Sequence, residues 1–234
     1  MTKSFFAALI ASTSLLASPA LAQEATAEPI QLSAEEVAAQ NQAVADFTEA
    51  QNLLNAGDNA GALAKIEAAL PTIRQIAARD AANVQNAGFL ASALTMASNA
   101  QGALGNMDAI APLYAEAVPQ WRKVYDADPT NAGVRDTMIS MMINLGNFNL
   151  IQQNKEVALP IFTDALSLVQ TARQADATSP VLANAEFSAL IGLNQSTGDP
   201  AYIEQAKPVG EELRSKGIVN AANKPSVDAI LGAA

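Results

Sequence analysis

The chain contains no cysteine and no histidine. Without thiols it has no disulfide framework, no nucleophilic cysteine and no thiolate metal site. Without imidazole it has no Ser–His dyad, no zincin motif and no side chain that ordinarily titrates near neutral pH. Aromatic residues make up only 5% of the chain. Basic residues are also scarce, with 13 Lys and Arg against 23 Asp and Glu, a formal charge of −10. Such a surface repels nucleic-acid phosphates and anionic lipid, so neither is an expected partner. Strand signals are missing, as are a phosphate-cradling glycine loop and an EF-hand loop. Carboxylate chemistry of the glycosidase kind is all that remains for catalysis. The acids Glu35, Glu36, Glu211 and Glu212 fit solvated helix faces better, because carboxylates normally stay in water. The chain is therefore expected not to be an enzyme and to need no metal or cofactor.

The amino terminus predicts export. Lys3 gives a positive start, and Phe5 to Ala17 is apolar but too short to span a bilayer, which takes about 20 residues. Ser18-Pro19-Ala20-Leu21-Ala22 then ends the apolar stretch and places small residues where signal peptidase cuts. Residues 1–22 read as a signal peptide cleaved after Ala22, with no membrane anchor, and residues 23–31 as a flexible leader. No cysteine follows the apolar stretch, which excludes a lipid anchor. Removing Lys3 leaves 12 basic against 23 acidic residues, a charge of −11. An exported chain of this size without disulfides points to a bacterial periplasm, or else to secretion.

Alanine dominates an apolar fraction of 50%. It is the best helix former and lets helices approach closely, so the expected class is all-α. The chain is also periodic. Asp80, Asp128 and Asp176 stand 48 residues apart, as do Gly57 and Gly105, Pro71 and Pro119, and the series Pro112, Pro160 and Pro208. Four units follow, 32–79, 80–127, 128–175 and 176–223, with residues 224–234 as a C-terminal cap and tail. Each unit holds two helical stretches around a Gly/Asn/Asp turn. In the third unit these are Asn131 to Gln152 and Lys155 to Ala175, with Thr130 or Asn131 as the first cap. One hairpin cannot bury its apolar faces alone, so neighbours are expected to stack into an α-solenoid. Ser226 is the expected cap of a short final helix whose stripe is Val227, Ile230 and Leu231. Pro112 and Pro119 fall in the second helix of the second unit, and the sequence leaves open whether they kink or break it.

These residues resemble the tetratricopeptide repeat, a helical hairpin of about 34 residues. Leu145-Gly146 matches its first-helix signature. Gly57-Asp58 with Ala62, Ile66 and Ala69 matches the turn and second helix, as do Gly105-Asn106 with Tyr114 and Ala117, and Ala158, Phe162 and Ala165. Each helix is longer than the motif's by about seven residues, nearly two turns, which returns side chains to nearly the same face. The consensus tryptophan is absent from its place, and Gly198-Asp199 comes about three residues early relative to Pro208, so the fourth unit is degenerate, as terminal repeats often are.

The resemblance implies a right-handed solenoid of about four hairpins whose first helices line a concave groove. At the register after Leu-Gly stand Gln51, Asn99, Asn147 and Gln195. Seven positions earlier stand Val44, Ser92, Ser140 and Ser188. Amides both donate and accept, so such a ladder suits the backbone of an extended peptide. Phe47, Ile143, Leu150 and Ile191 would supply apolar pockets. The competing reading has the amides tie neighbouring helices together or face water. No Lys or Arg occupies the ladder, so a partner protein or peptide is expected to be neutral or basic rather than acidic. The expected function is a periplasmic interaction module or scaffold. Alternatives are small-ligand binding between the helices, self-association through an open end, and, least favoured, a carboxylate-based hydrolase.

Overall fold

Short polar side chains set where the helices begin. Asp58 accepts the N–H of Gly61 at 2.9 Å, Asn83 those of Gln85 and Asn86 at 3.0 Å, Asn131 that of Val134 at 3.2 Å and Ser179 that of Leu182 at 3.3 Å. Each satisfies an N–H that the first helical turn leaves without a partner. Between the helices of a hairpin the chain reverses through Gly57, Gly105 and Gly198, whose φ of +81°, +79° and +76° only glycine adopts without cost. Gln153, 48 residues after Gly105, takes φ 62° as the one such non-glycine among the described residues.

The computed structural model describes residues 32–232. The expected signal peptide, the expected leader and the last two residues of the expected tail lie outside them. The helices are α1 (Ala34–Asn55), α2 (Asn59–Arg79), α3 (Val84–Ala103), α4 (Ile110–Ala127), α5 (Ala132–Ile151), α6 (Lys155–Ala175), α7 (Pro180–Thr197), α8 (Ala201–Ser215) and α9 (Lys224–Leu231). No strand occurs among the described residues. Consecutive helices pack in antiparallel pairs, α9 lies on α8, and α5 also touches α7.

Two expectations are refined. Pro112 and Pro119 leave α4 unbroken, although a short 3-10 turn, Met107–Ala109, precedes it. Both prolines face solvent, as do Pro71, Pro160 and Pro208 inside their helices, so water can satisfy the carbonyls each ring leaves without a donor. Ser226 is not a cap. It lies within α9, which starts at Lys224 after Asn223, because Pro225 favours the first turn, where a missing N–H costs nothing.

The core runs along the facing sides of the pairs. Ala62, Ala69, Ala117, Ala158 and Ala165 are fully or almost fully buried, and so are Ile66 and Phe162. Small side chains at these positions bring the helices close, and large residues such as Ile73, Leu94, Met138, Phe187 and Leu213 fill what remains. Trp121 and Tyr125 pack half-buried against this core, and the Trp121 indole N–H donates to Thr95 Oγ1 at 3.0 Å. The aromatic pair is thus an inner packing element.

Phe162 of α6 has no exposed surface and lies between Gly146 of α5 and Gly192 of α7. A Cβ on Gly146 would stand 2.6 Å from the ring, and one on Gly192 would overlap it. Neither glycine is needed for its φ. Both are needed so that the backbones of α5 and α7 can close on the ring.

Ion pairs tie one pair of helices to the next. Arg74 of α2 forks onto Glu116 of α4 at 2.7 Å through both nitrogens, and Arg122 of α4 reaches Asp164 of α6 at 2.5 Å. Arg173 of α6 joins Glu186 of α7 and Glu212 of α8, the latter at 2.5 Å. Lys216 adds a second cation to Glu212 at 2.9 Å. Hydrogen bonds from Lys216 and Arg173 hold the Glu212 carboxyl below its ordinary pKa, against a smaller opposing effect of burial.

Two outcomes follow. Alanine raises helix propensity by up to about 1 kcal/mol over glycine, yet Gly192→Ala should destabilise by about 1–3 kcal/mol through overpacking against Phe162. Urea unfolding measures the sign, and a stabilised variant would contradict the clamp. Glu212 has a folded pKa below its unfolded value, so its contribution is complete above the ordinary glutamate range. It disappears as pH falls through the depressed folded pKa. Glu212→Gln should therefore lower the melting temperature at pH 7 and converge on wild type in strong acid.

Candidate functional site

Heptad spacing along the first helix of each pair puts the polar series on the outside. Gln51 on α1, Asn99 on α3, Asn147 on α5 and Gln195 on α7 are all exposed. None of the four makes a side-chain hydrogen bond within the described residues, so the inter-helix amide bonding of the competing reading is not present there. Val44 is 44% exposed, Ser140 is exposed, and Ser92 and Ser188 are half-buried.

The structure brings one half of this series together. A cavity of about 510 Å³ opens between α5, α7 and the segment 216–223 that links α8 to α9. Ser140, Ile143 and Asn147 of α5 line it opposite Ser188, Ile191 and Gln195 of α7. The other half does not join them, since Gln51, Asn99, Val44 and Ser92 lie on α1 and α3, away from this cavity. Two apolar candidates also fall outside it. Phe47 is a core residue, 7% exposed, with its ring 5.0 Å from that of Phe89 in an edge-on contact. It has almost no surface to offer a ligand, because α1 turns this side towards α3. Leu150 packs half-buried against the core.

The far wall of the cavity is held by a polar network that heptad reasoning missed. Asn184 of α7 is 6% exposed and donates to the carbonyls of Pro180 and Ile218, both at 2.8 Å. Its Oδ1 accepts the backbone N–H of Asn220 at 3.0 Å. Asn223, equally buried, donates to the Asn184 carbonyl at 2.9 Å and accepts from Ser188 Oγ at 2.7 Å. Asn220 Oδ1 in turn accepts the N–H of Asn223 at 2.8 Å. Three asparagines and a serine thus fix the linking segment against α7 with every buried amide satisfied. A signal for this was available. Asn184 stands in Leu182-Ala183-Asn184-Ala185, an apolar stretch where a buried amide requires partners. Ser188 is accordingly a structural member of the wall as well as a lining residue.

Charge is nearly absent. Asp136 is the one charged residue lining the cavity, and the Arg135 guanidinium neutralises it with two contacts of 2.8 Å. Asn144, also in the lining, hydrogen-bonds the Tyr114 hydroxyl, and burial pushes that phenol above its ordinary pKa. What the site offers is a neutral set of hydroxyls and carboxamides over a floor of isoleucines. Such groups can donate to and accept from an uncharged polar ligand; they include no nucleophile–base pair.

Elsewhere the shifted carboxylates all move downward. Asp46 is held down first by the Gln42 amide and then by Lys65, and Asp228 first by Lys224. A general acid needs the opposite shift. Among the described residues no group of three or more Asp and Glu side chains is placed to hold a metal ion, and no helix is long and apolar enough to cross a membrane. No family model matches the chain, and no curated protein matches it.

Replacing Asn223 by alanine should cost about 1–3 kcal/mol, because it leaves Asn184 and Ser188 with unmet hydrogen-bonding groups. Hydrogen exchange should rise selectively over residues 216–223. Unchanged protection there would show that the network does not hold the wall.

Proposed function

We propose that this protein is an exported interaction module whose groove holds an uncharged segment of a partner protein. In this reading the helix pairs are repeats of a right-handed, tetratricopeptide-like solenoid with a 48-residue period. The helix ends Arg79, Ala127 and Ala175 support that period, as do the ion pairs Arg74–Glu116 and Arg122–Asp164, each partner displaced by 48 residues. The observation that carries the function is the set of unpaired, outward amides Gln51, Asn99, Asn147 and Gln195 on the first helices. Two of these open into a cavity with Ser140, Ser188, Ile143 and Ile191. Free carboxamides both donate and accept, as the peptide groups of an extended backbone require. The missing histidine and cysteine argue against an enzyme. The leading residues 1–22 and the charge of −11 on the remainder favour a periplasmic location and a partner that is neutral or basic overall.

A second reading has a specific observation behind it. The cavity volume of about 510 Å³ lies within the range of small-molecule sites. Binding of a compact solute at this end of the groove alone would satisfy it.

One experiment separates these. Full-length chain is expressed with a C-terminal tag, recovered from the periplasmic fraction and cross-linked to what it holds. Intact mass should show a chain beginning at Gln23. A defined partner should be recovered with wild type and lost, by about tenfold, with the combined Asn99→Ala and Asn147→Ala variant. Equal recovery with both removes the amide ladder from the proposal. Loss caused by Asn147→Ala alone, together with a bound solute and no protein, favours the second reading.

A further inference from the structure

We infer that the cavity between α5, α7 and the 216–223 segment receives one uncharged aliphatic side chain of the bound segment, together with its flanking backbone amides. The inference rests on the groove reading above and specifies what its C-terminal end recognises. Three features of the lining argue for it.

The first is charge. Asp136 is already paired with Arg135 at 2.8 Å, and no other ionised group lines the cavity. A lysine, a carboxylate or a free chain end entering it would shed water and find no counter-ion. The acidic surface attracts cations at long range, but that attraction acts in front of the cavity, in water.

The second is the missing aromatic. No aromatic side chain lines the cavity, so the stacking platform that sugar rings and nucleobases use is not there. The apolar surface that the lining presents is aliphatic: Val181, 53% exposed, with half-buried Ile191 and Ile218 over the buried Ile139 and Ile143. These surfaces suit a leucine-like side chain, with Asn147 and Gln195 left free at the rim to bond the peptide groups on either side.

The third is the closed end. The 216–223 segment is pinned across the cavity by Asn184 and Asn223, whose side-chain amides are consumed in doing so, and by Asn220, whose Oδ1 accepts the Asn223 N–H. The segment is a wall of the cavity, lined by Ile218, Asn220, Ala222 and Asn223. Recognition at this end is therefore one buried side chain deep, with the rim amides bonding its neighbours.

The test uses the chain from Gln23 onward, labelled on its side-chain amides for NMR. The probe is a pentapeptide of alanines with a central leucine, acetylated and amidated at its ends. It should shift the Asn147 and Gln195 side-chain amide signals and saturate in the millimolar range or tighter. Central lysine or glutamate should weaken binding at least about tenfold, the loss that accompanies an unburied aliphatic contact of this size. Asn147→Ala and Gln195→Ala, both at exposed positions, should each weaken the leucine peptide several-fold with the melting temperature unchanged. Equal binding of the charged-centre peptides overturns the inference. So does maltotriose shifting the same signals when the leucine peptide does not. Shifts confined to Gln51 and Asn99 overturn the cavity's role while leaving the groove reading standing. No shift at all also overturns the inference, and the groove reading is then decided by the partner recovery alone.

Discussion

The Phe162 ring, closed between Gly146 and Gly192, sets the separation of α5 and α7. Everything in the candidate site depends on that separation. With a Cβ on either glycine the ring and a helix backbone would occupy the same space, and α5 and α7 would have to move apart. The residues that line the cavity lie next to these contacts. Asn147 follows Gly146 directly, Ile191 precedes Gly192, and Gln195 is one helical turn beyond. One buried aromatic thus holds the two helices together and sets the width of the opening they leave on the other side.

The cavity and the core are built on opposite principles from the same helices. On the buried side, alanines and large apolar residues exclude water and leave few polar atoms to satisfy. On the outward side, the carboxamides of Gln51, Asn99, Asn147 and Gln195 have no side-chain hydrogen bond among the described residues. An unpaired amide costs nothing while water can reach it, and it becomes specific only when a ligand displaces that water. The asparagines of the far wall are the opposite case. Asn184 and Asn223 are buried, so each had to be matched, and matching them fixes the 216–223 segment as a wall.

Much of this was legible in the residues themselves. Asp58, Asn83, Asn131 and Ser179 announce helix starts because a short oxygen-bearing side chain can reach the first free N–H groups. Gly57, Gly105 and Gly198 announce reversals because of their positive φ. The outward position of Gln51, Asn99, Asn147 and Gln195 follows from heptad spacing along long helices. Phe47 illustrates the limit. It shares nearly the same stripe as the amides, but a shift of four residues along a helix turns a side chain by about 40°, enough here to place it against Phe89. Ser226 illustrates another limit, since a proline one residue earlier outweighed the capping preference of its hydroxyl.

Local sequence determined the class, most helix ends and the outward side of the amide series, because these depend on propensity, capping and periodicity within a turn or two. Tertiary structure decided which outward residues share a site. Asn184 and Asn223 are 39 residues apart and meet only because α8 returns the chain to α7. Phe162 selects its two glycines from helices on either side of its own. Such pairings are fixed by excluded volume and by the need to satisfy buried amides once the helices have docked, and neither constraint acts on the chain before it folds.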